Sequence, residues 1–191
     1  MKKIINFTFY FLILIFFNFE ASASLENDLI KKFLSTNTLS FNFTQKISEN
    51  EEMGRCFIKY PLRMRCDYDN LKQKSIIVNG KTVAIIKKKY KRIYLYPLKI
   101  TALYRILQKN TILNIMKNQK PTINSSNLIV YETTDEKNNK LQIFFDKDSL
   151  ELKGWETLDM YSNKVSFVVR ELEINKDIDD NFFKIPKESE L

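Results

Sequence analysis

Residues 54–68, GRCFIKYPLRMRCDY, constrain what this chain can fold into more than any other stretch. Cys56, Ile58 and Tyr60 alternate with Arg55, Phe57 and Lys59, and Met64, Cys66 and Tyr68 alternate with Arg63, Arg65 and Asp67. Alternation with period two puts each set on one face of a strand. Pro61 has no N–H to give to a ladder, so it belongs at the bend between the two arms. Folding about Pro61 sets Cys56 opposite Cys66 and Ile58 opposite Met64. The stretch predicts a hairpin with one apolar face and one basic face.

Ahead of the hairpin, Leu25, Leu29, Ile30, Phe33 and Leu34 recur at helical spacing among Glu26, Asp28, Lys31 and Lys32. The charges run acidic early and basic late, as the helix dipole favours. Leu39, Phe41, Phe43, Gln45 and Ile47 then alternate with polar residues as a strand, whose inward Gln45 requires a hydrogen-bond partner. After the hairpin, residues 75–78 and 83–86 flank Asn79-Gly80, a turn signal that asks both central residues for positive φ. A basic turn over 87–92 leads to a strand over 93–96.

From Pro97 the period becomes helical. Ile100, Leu103, Tyr104, Ile106 and Leu107 are followed by Ile112, Leu113, Ile115 and Met116, split at Lys109-Asn110. Strands resume over 127–132, 140–145, 150–158 and 164–172, separated by turn-forming clusters. Short strands with helices at two places predict one large antiparallel sheet, an α+β fold that is mainly β. Its apolar face cannot stay wet. The expectation is an incomplete antiparallel barrel, strongly curved, covered by the N-terminal helix and a helical lid.

Residues 1–23 are of another kind. Lys2-Lys3, a nearly continuous apolar run from Ile4 to Phe19 and then Ala21-Ser22-Ala23 have the order of an export signal. A retained anchor is the alternative, since the run approaches spanning length, but the small-residue site directly after it favours cleavage. Residues 1–23 are read as a signal peptide and 24–191 as one domain, long enough to bury a core. Removing 1–23 leaves 29 basic and 22 acidic residues, a net +7. That excess suits anionic partners such as membrane surfaces or acidic proteins, and suits a merely soluble surface equally well. Export argues against nucleic acid.

Little in the chain points to catalysis. There is no histidine, which removes the commonest general base and metal ligand. No nucleophile elbow, zinc-protease, phosphate-loop or dinucleotide motif occurs. Two cysteines ten apart without histidine do not make a zinc site. Asp67/Asp69 and Asp177/Asp179/Asp180 read as solvated turn residues. For Cys56 and Cys66 two readings stand: a disulfide, favoured by an oxidising compartment, or two small apolar residues lining the interior. Directly opposed cysteines hold their Cβ atoms about 4.5–5.5 Å apart, long for a bridge unless the pair relaxes. Fifteen Phe and nine Tyr are read as a dry core or as the lining of a cavity for acyl chains.

A series of short motifs resembles a known family. Gly54, Phe57, Lys59-x-Pro61 and Arg63-x-Arg65-x-x-Tyr68 stand behind Phe43-Thr44-Gln45. Val78-Asn79-Gly80-Lys81-Thr82, Tyr96-Pro97-Leu98 ahead of Leu103, Gly154-Trp155 and Phe182-Phe183-Lys184-Ile185-Pro186 follow. In order and spacing these are similar to the outer-membrane lipoprotein carrier family (LolA) over roughly residues 25–187.

The resemblance implies a half-barrel with a helical lid that carries lipoproteins from the inner to the outer membrane by holding their acyl chains. It implies a periplasmic monomer with no enzyme activity, no cofactor and no nucleic acid. Its partners would be lipidated proteins, an inner-membrane lipoprotein-releasing transporter and an outer-membrane acceptor. On this reading the lipid-facing set is Phe41, Phe43, Ile58, Tyr60, Met64, Cys66 and Tyr68 from the wall, with Leu103, Ile106 and Leu107 from the lid. A sensor or regulatory module on the same half-barrel, binding lipids, mislocalised lipoproteins or a membrane regulator, is the second reading. One family residue is absent: where the pattern reads Lys-Arg-Pro, with the arginine associated with lid closure, this chain has Tyr60. Its hydroxyl, Arg63 and Arg65 are the candidate substitutes, and weaker closure is the alternative to all three.

Overall fold

A computed structural model describes residues 20–136, 138–159 and 162–191. Most of the expected signal peptide, residues 1–19, lies outside the described residues. The chain divides into two units, Met1–Ser35 and Thr36–Leu191. In the first, helix α1 (Glu20–Ser35) starts earlier than the apolar spacing predicts, with Leu29 and Phe33, four apart, both buried.

The second unit is a single antiparallel sheet. Its strands are β1 (Thr38–Ile47), β2 (Asn50–Lys59), β3 (Arg63–Tyr68), β4 (Lys74–Asn79), β5 (Thr82–Lys87), β6 (Arg92–Pro97), β7 (Thr122–Ile123), β8 (Leu128–Thr134), β9 (Lys140–Asp146), β10 (Leu152–Leu158) and β11 (Lys164–Ile174). They lie in the order β6-β5-β4-β3-β2-β1-β11-β10-β9-β8-β7, so β6 and β7 are the two edge strands and the sheet does not close. Neighbours in the sheet are neighbours in sequence except at β1–β11, where the last strand returns to pair with the first. Between β6 and β7 the chain leaves the sheet and forms α2 (Leu103–Leu107) and α3 (Lys109–Asn118).

The central hairpin has the predicted register. Cys56 faces Cys66 and Ile58 faces Met64 across β2–β3. The bend holds a cis Tyr60–Pro61 peptide. The Asn79-Gly80 turn also forms, though with one positive φ where the turn signal asked for two. Gly80 sits at φ 99°, while the Asn79 side chain accepts from the N–H groups of Lys81 and Thr82. Asn79 supports the turn by local hydrogen bonding and does not take the left-handed conformation itself. The two-residue β7 was not visible in the sequence, since its residues carry no alternation and pair at the edge alone.

Two glycines allow close strand contact. A Cβ at Gly54 would stand 2.1 Å from the Asp67 carbonyl oxygen, and one at Gly154 would stand 2.0 Å from that of Phe167. Any side chain at either position would push neighbouring strands apart.

Alternation then sorts the side chains. Leu39, Phe41, Phe43, Cys56, Ile58, Met64, Cys66, Tyr68, Val78 and Val83 are buried on the inner face. On the outer face of β4–β6 a smaller cluster of Ile77, Ala84 and Ile86 is covered by Ile93, Ile185 and Leu191.

Candidate functional site

The inner wall is organised around aromatic rings. Gly54 lies between Phe43 and Tyr68 in the ladder, and without a side chain there the two rings meet, centroids 4.9 Å apart. Phe43 stacks on Phe167 at 4.6 Å, Phe167 stacks on Trp155 at 4.3 Å, and Phe41 meets both Phe167 and Trp155 edge-on. Beyond Trp155 the wall continues through Ile143 and Tyr131, which follow one another across the ladder. One apolar surface thus runs from β3 to β8.

The sheet is held in a curve by what bridges it. Leu62, in the β2–β3 turn, donates its N–H to the carbonyl of Leu107 at 3.0 Å. Arg105, on the same turn of helix, donates to the carbonyl of Asn139 at 2.9 Å and stands 3.8 Å from Asp135, both in the β8–β9 turn. On a flat sheet these two turns would sit at opposite ends of strands five steps apart, about 24 Å sideways. A five-residue helix is about 7.5 Å long. One short helix can reach both turns because the sheet bends around it. Ile106 and Leu107 are buried there, as are Ile112, Leu113, Ile115 and Met116 of α3, which packs on β8.

The predicted wall residues Phe41, Phe43, Ile58, Met64, Cys66 and Tyr68 therefore share one surface, none more than 7% exposed. Of the lid residues, Ile106 and Leu107 are buried and Leu103 is half-exposed. Tyr60 is half-buried at the bend, where its N–H donates to the carbonyl of Asn37, and burial raises its phenol pKa well above the ordinary value. The hairpin's hold on the lid carbonyl comes from the neighbouring backbone N–H of Leu62.

Arg63 and Arg65 stand on the opposite face of β3, which corrects their candidacy as latches. Arg63 pairs with Asp180, joined by Lys59 at 2.8 Å. Arg65 lies over the Phe182 ring at 4.6 Å. The alternation that faces Met64 and Cys66 inward turns both arginines outward. Asp180 is accordingly more than a solvated turn residue: its carboxyl is held down to about 2 by hydrogen bonds from Arg63 and Lys59.

Cys56 and Cys66 are joined by a disulfide, with Cα atoms 4.1 Å apart. Gln45 finds the partner it requires in the Tyr68 hydroxyl, which donates to it at 2.8 Å. Tyr68 in turn lies under the Lys74 ammonium at 3.6 Å, and Lys74 pairs with Glu52. Burial pushes the Lys74 pKa down against the pull of Glu52. This polar group borders an open hollow of about 980 Å³ lined by Glu52, Arg65, Asn70 and Lys88 among others. Its lining suits water and ions better than acyl chains.

Sequence reasoning missed the far half of the wall, Phe167, Trp155, Ile143 and Tyr131, and missed Arg105. The strands bearing the first four were predicted, and their alternation was the available signal. Nothing in sequence paired Arg105 with a turn thirty residues on. Among the described residues no group of three or more acidic or cysteine side chains could hold a metal, and no helix is long and apolar enough to cross a membrane.

The structure is similar to that of an uncharacterized conserved protein from Thermus thermophilus, with TM-score 0.52 and 12% identity, covering 87% of this chain and 95% of that one. At that identity the likeness concerns the fold alone. A MucA/MucB complex from Pseudomonas aeruginosa gives TM-score 0.48 at 11% identity, over 88% of this chain and 62% of that one. A putative outer membrane lipoprotein-sorting protein domain from Vibrio parahaemolyticus gives 0.47 at 9%, over 82% and 94%. No curated protein sequence matches this chain. The family model described as outer membrane lipoprotein carrier protein LolA matches residues 34–186, and with most of its length inside that match the chain belongs to the LolA family.

Proposed function

We propose that this protein is a periplasmic carrier, processed to residues 24–191, that binds the acyl chains of lipoproteins released from the inner membrane and delivers them to the outer membrane. The observation that carries this reading is the continuous apolar wall from Tyr68 through Phe43 and Phe167 to Trp155, beneath a lid tethered at two turns. Each methylene moved into water costs about 0.8 kcal/mol, so an acylated protein crosses an aqueous space only with comparable apolar cover. In the closed arrangement the wall is packed, so the lid must move to admit a chain. The pieces suit that motion: α2 and α3 are too short to be stable alone, and a neutral hydrogen bond such as Leu62–Leu107 contributes about 0.5–1.5 kcal/mol. Arg105 closes the far side, and Arg105→Ala would ease opening there. The lid and wall residues serve as the binding surface, and no catalytic step is involved.

Native mass spectrometry of the protein purified from the periplasm tests the proposal. The expected species is the processed chain with a lipidated protein bound. A bound protein without acyl chains would favour the sensor reading. Bare chain alone, under conditions that keep apolar complexes intact, would overturn both.

A further inference from the structure

Residues 70–131 contain thirteen lysines and arginines and no aspartate or glutamate. The whole chain is +8, so everything outside that stretch sums to −5. The fold gathers part of this charge at one edge of the sheet. Lys88, Lys89 and Lys91 form the β5–β6 turn, Arg92 opens the edge strand β6, and Lys99 follows it, all exposed. Among the described residues none of these five has an ion-pair partner within 4 Å.

The same edge is greasy. Leu95 is 61% exposed and Ile100 72%, with Tyr90, Tyr94 and Tyr96 also exposed. Tyr94 and Tyr96 pair with Ile85 and Val83 on the inner side, and Leu95 pairs with Ala84 on the outer side, so apolar groups flank the edge on both faces. Cations with exposed tyrosines and aliphatics are the composition that settles at an anionic bilayer interface.

We infer that the β5–β6 turn and edge strand β6 form a docking surface for an anionic lipid bilayer. A strand added to β6 would find the Ile93 N–H already taken by Glu188 and would leave Tyr94, Tyr96 and Leu95 wet, and the lysine-rich turn and Pro97 discourage such pairing. A bilayer interface covers both faces at once. The surface also adjoins the lid: Leu98, just past β6, donates its N–H to the carbonyl of Lys81 at 2.8 Å, and α2 begins five residues on. Docking here brings the root of the lid to the membrane. The inference does not depend on the carrier reading, since bilayer affinity needs no cargo.

The test is flotation of the processed chain, purified from the periplasm, with vesicles of phosphatidylcholine alone or containing roughly a third phosphatidylglycerol. The chain should float with the anionic vesicles, remain free of the neutral ones, and be released by raised salt. Each lysine near such a surface contributes about fivefold, so the triple variant Lys88→Gln, Lys89→Gln, Lys91→Gln should bind roughly 100-fold more weakly. A control triple outside the basic stretch, Lys46→Gln, Lys153→Gln, Lys184→Gln, should change binding by less than about twofold. Equal flotation with neutral vesicles, or equal losses in the two triples, overturns the inference and leaves the edge to a protein strand. Absence of cargo with vesicle binding intact sinks the carrier reading and not this one.

Discussion

On one face of the β2–β3 hairpin, Cys56, Ile58, Met64 and Tyr68 lie in a buried apolar wall; on the other, Lys59, Arg63 and Arg65 stand under the C-terminal segment. Both faces are covered, by different means. The lid on the inner side is tied by the Leu62–Leu107 backbone hydrogen bond at one turn, by Arg105 at the other, and by a long 3.5 Å contact from the Lys109 ammonium to the Asn37 side chain. The C-terminal segment is fastened at many points. Asp180 pairs with Arg63 and Lys59, Phe182 meets Phe57 edge-on beneath Arg65, Lys59 also donates to the carbonyl of Ile178, and Glu188 accepts from the N–H of Ile93. Ile185 and Leu191 close the outer apolar cluster. A cover held by apolar contact and a few separate hydrogen bonds can leave and return. One held by charge, rings and backbone together is a permanent part of the fold.

The largest effect that would break this contrast is at Leu107, which is 0% exposed. Leu107→Glu places an uncompensated charge there, at a cost of about 3–5 kcal/mol. Releasing the lid relieves that cost without unfolding the sheet. The expected result is stronger binding of an apolar dye with the cooperative urea transition retained. Unchanged dye binding and unchanged stability would show that α2 is not a cover.

The disulfide comes next, since it stiffens the hairpin that both covers share. Protein purified without reductant and denatured should show no free thiol. Replacing Cys56 and Cys66 together with serine should lower stability by about 2–3 kcal/mol, read from urea unfolding, because a short loop is closed. Two free thiols would reject the bond and leave the Cys56–Cys66 register untouched.

Phe182→Ala sharpens the contrast from the other side. Loss of its edge-on contact with Phe57 and of the Arg65 contact should cost about 1–2 kcal/mol. Dye binding should stay at the level of the parent chain. A rise comparable with that of Leu107→Glu would mean the two covers are not independent.

The smallest effect is a pH dependence at the C-terminal segment. Hydrogen bonds from Arg63 and Lys59 depress the Asp180 carboxyl from its ordinary 3.8 to about 2. A depressed carboxylate contributes stability above its unfolded pKa and loses it as pH falls through the folded one. The protection of amides in residues 178–191, measured relative to the intrinsic exchange rate at each pH, should therefore fall between about pH 4 and pH 2, and in the Asp180→Asn variant that fall should be absent. Equal profiles for the two proteins would remove Asp180 from the clasp.

Much of this was legible in short-range pattern. The alternation around Pro61 set the Cys56–Cys66 register, and the inward Gln45 announced a polar partner that proved to be Tyr68. The change of period at Pro97 marked the lid. Arg63 and Arg65 carry the charge a latch requires, but the alternation that turns Met64 and Cys66 inward faces both away from the lid. Asn79-Gly80 marked a turn, but which residue supplies positive φ depends on the hydrogen bonds Asn79 makes.

What the sequence determined by itself is local: which residues alternate, where proline and glycine interrupt, where strand period gives way to helical period. These follow from backbone sterics and side-chain spacing within a few residues. The tertiary structure alone decided that β11 returns to β1 and that the β2–β3 and β8–β9 turns come within reach of one helical turn, where Arg105 finds Asn139. It also decided that Asp180 of the C-terminal segment answers the hairpin's basic face. Those pairings depend on sheet curvature, which accumulates over many strands from the twist at each and is written in no single segment.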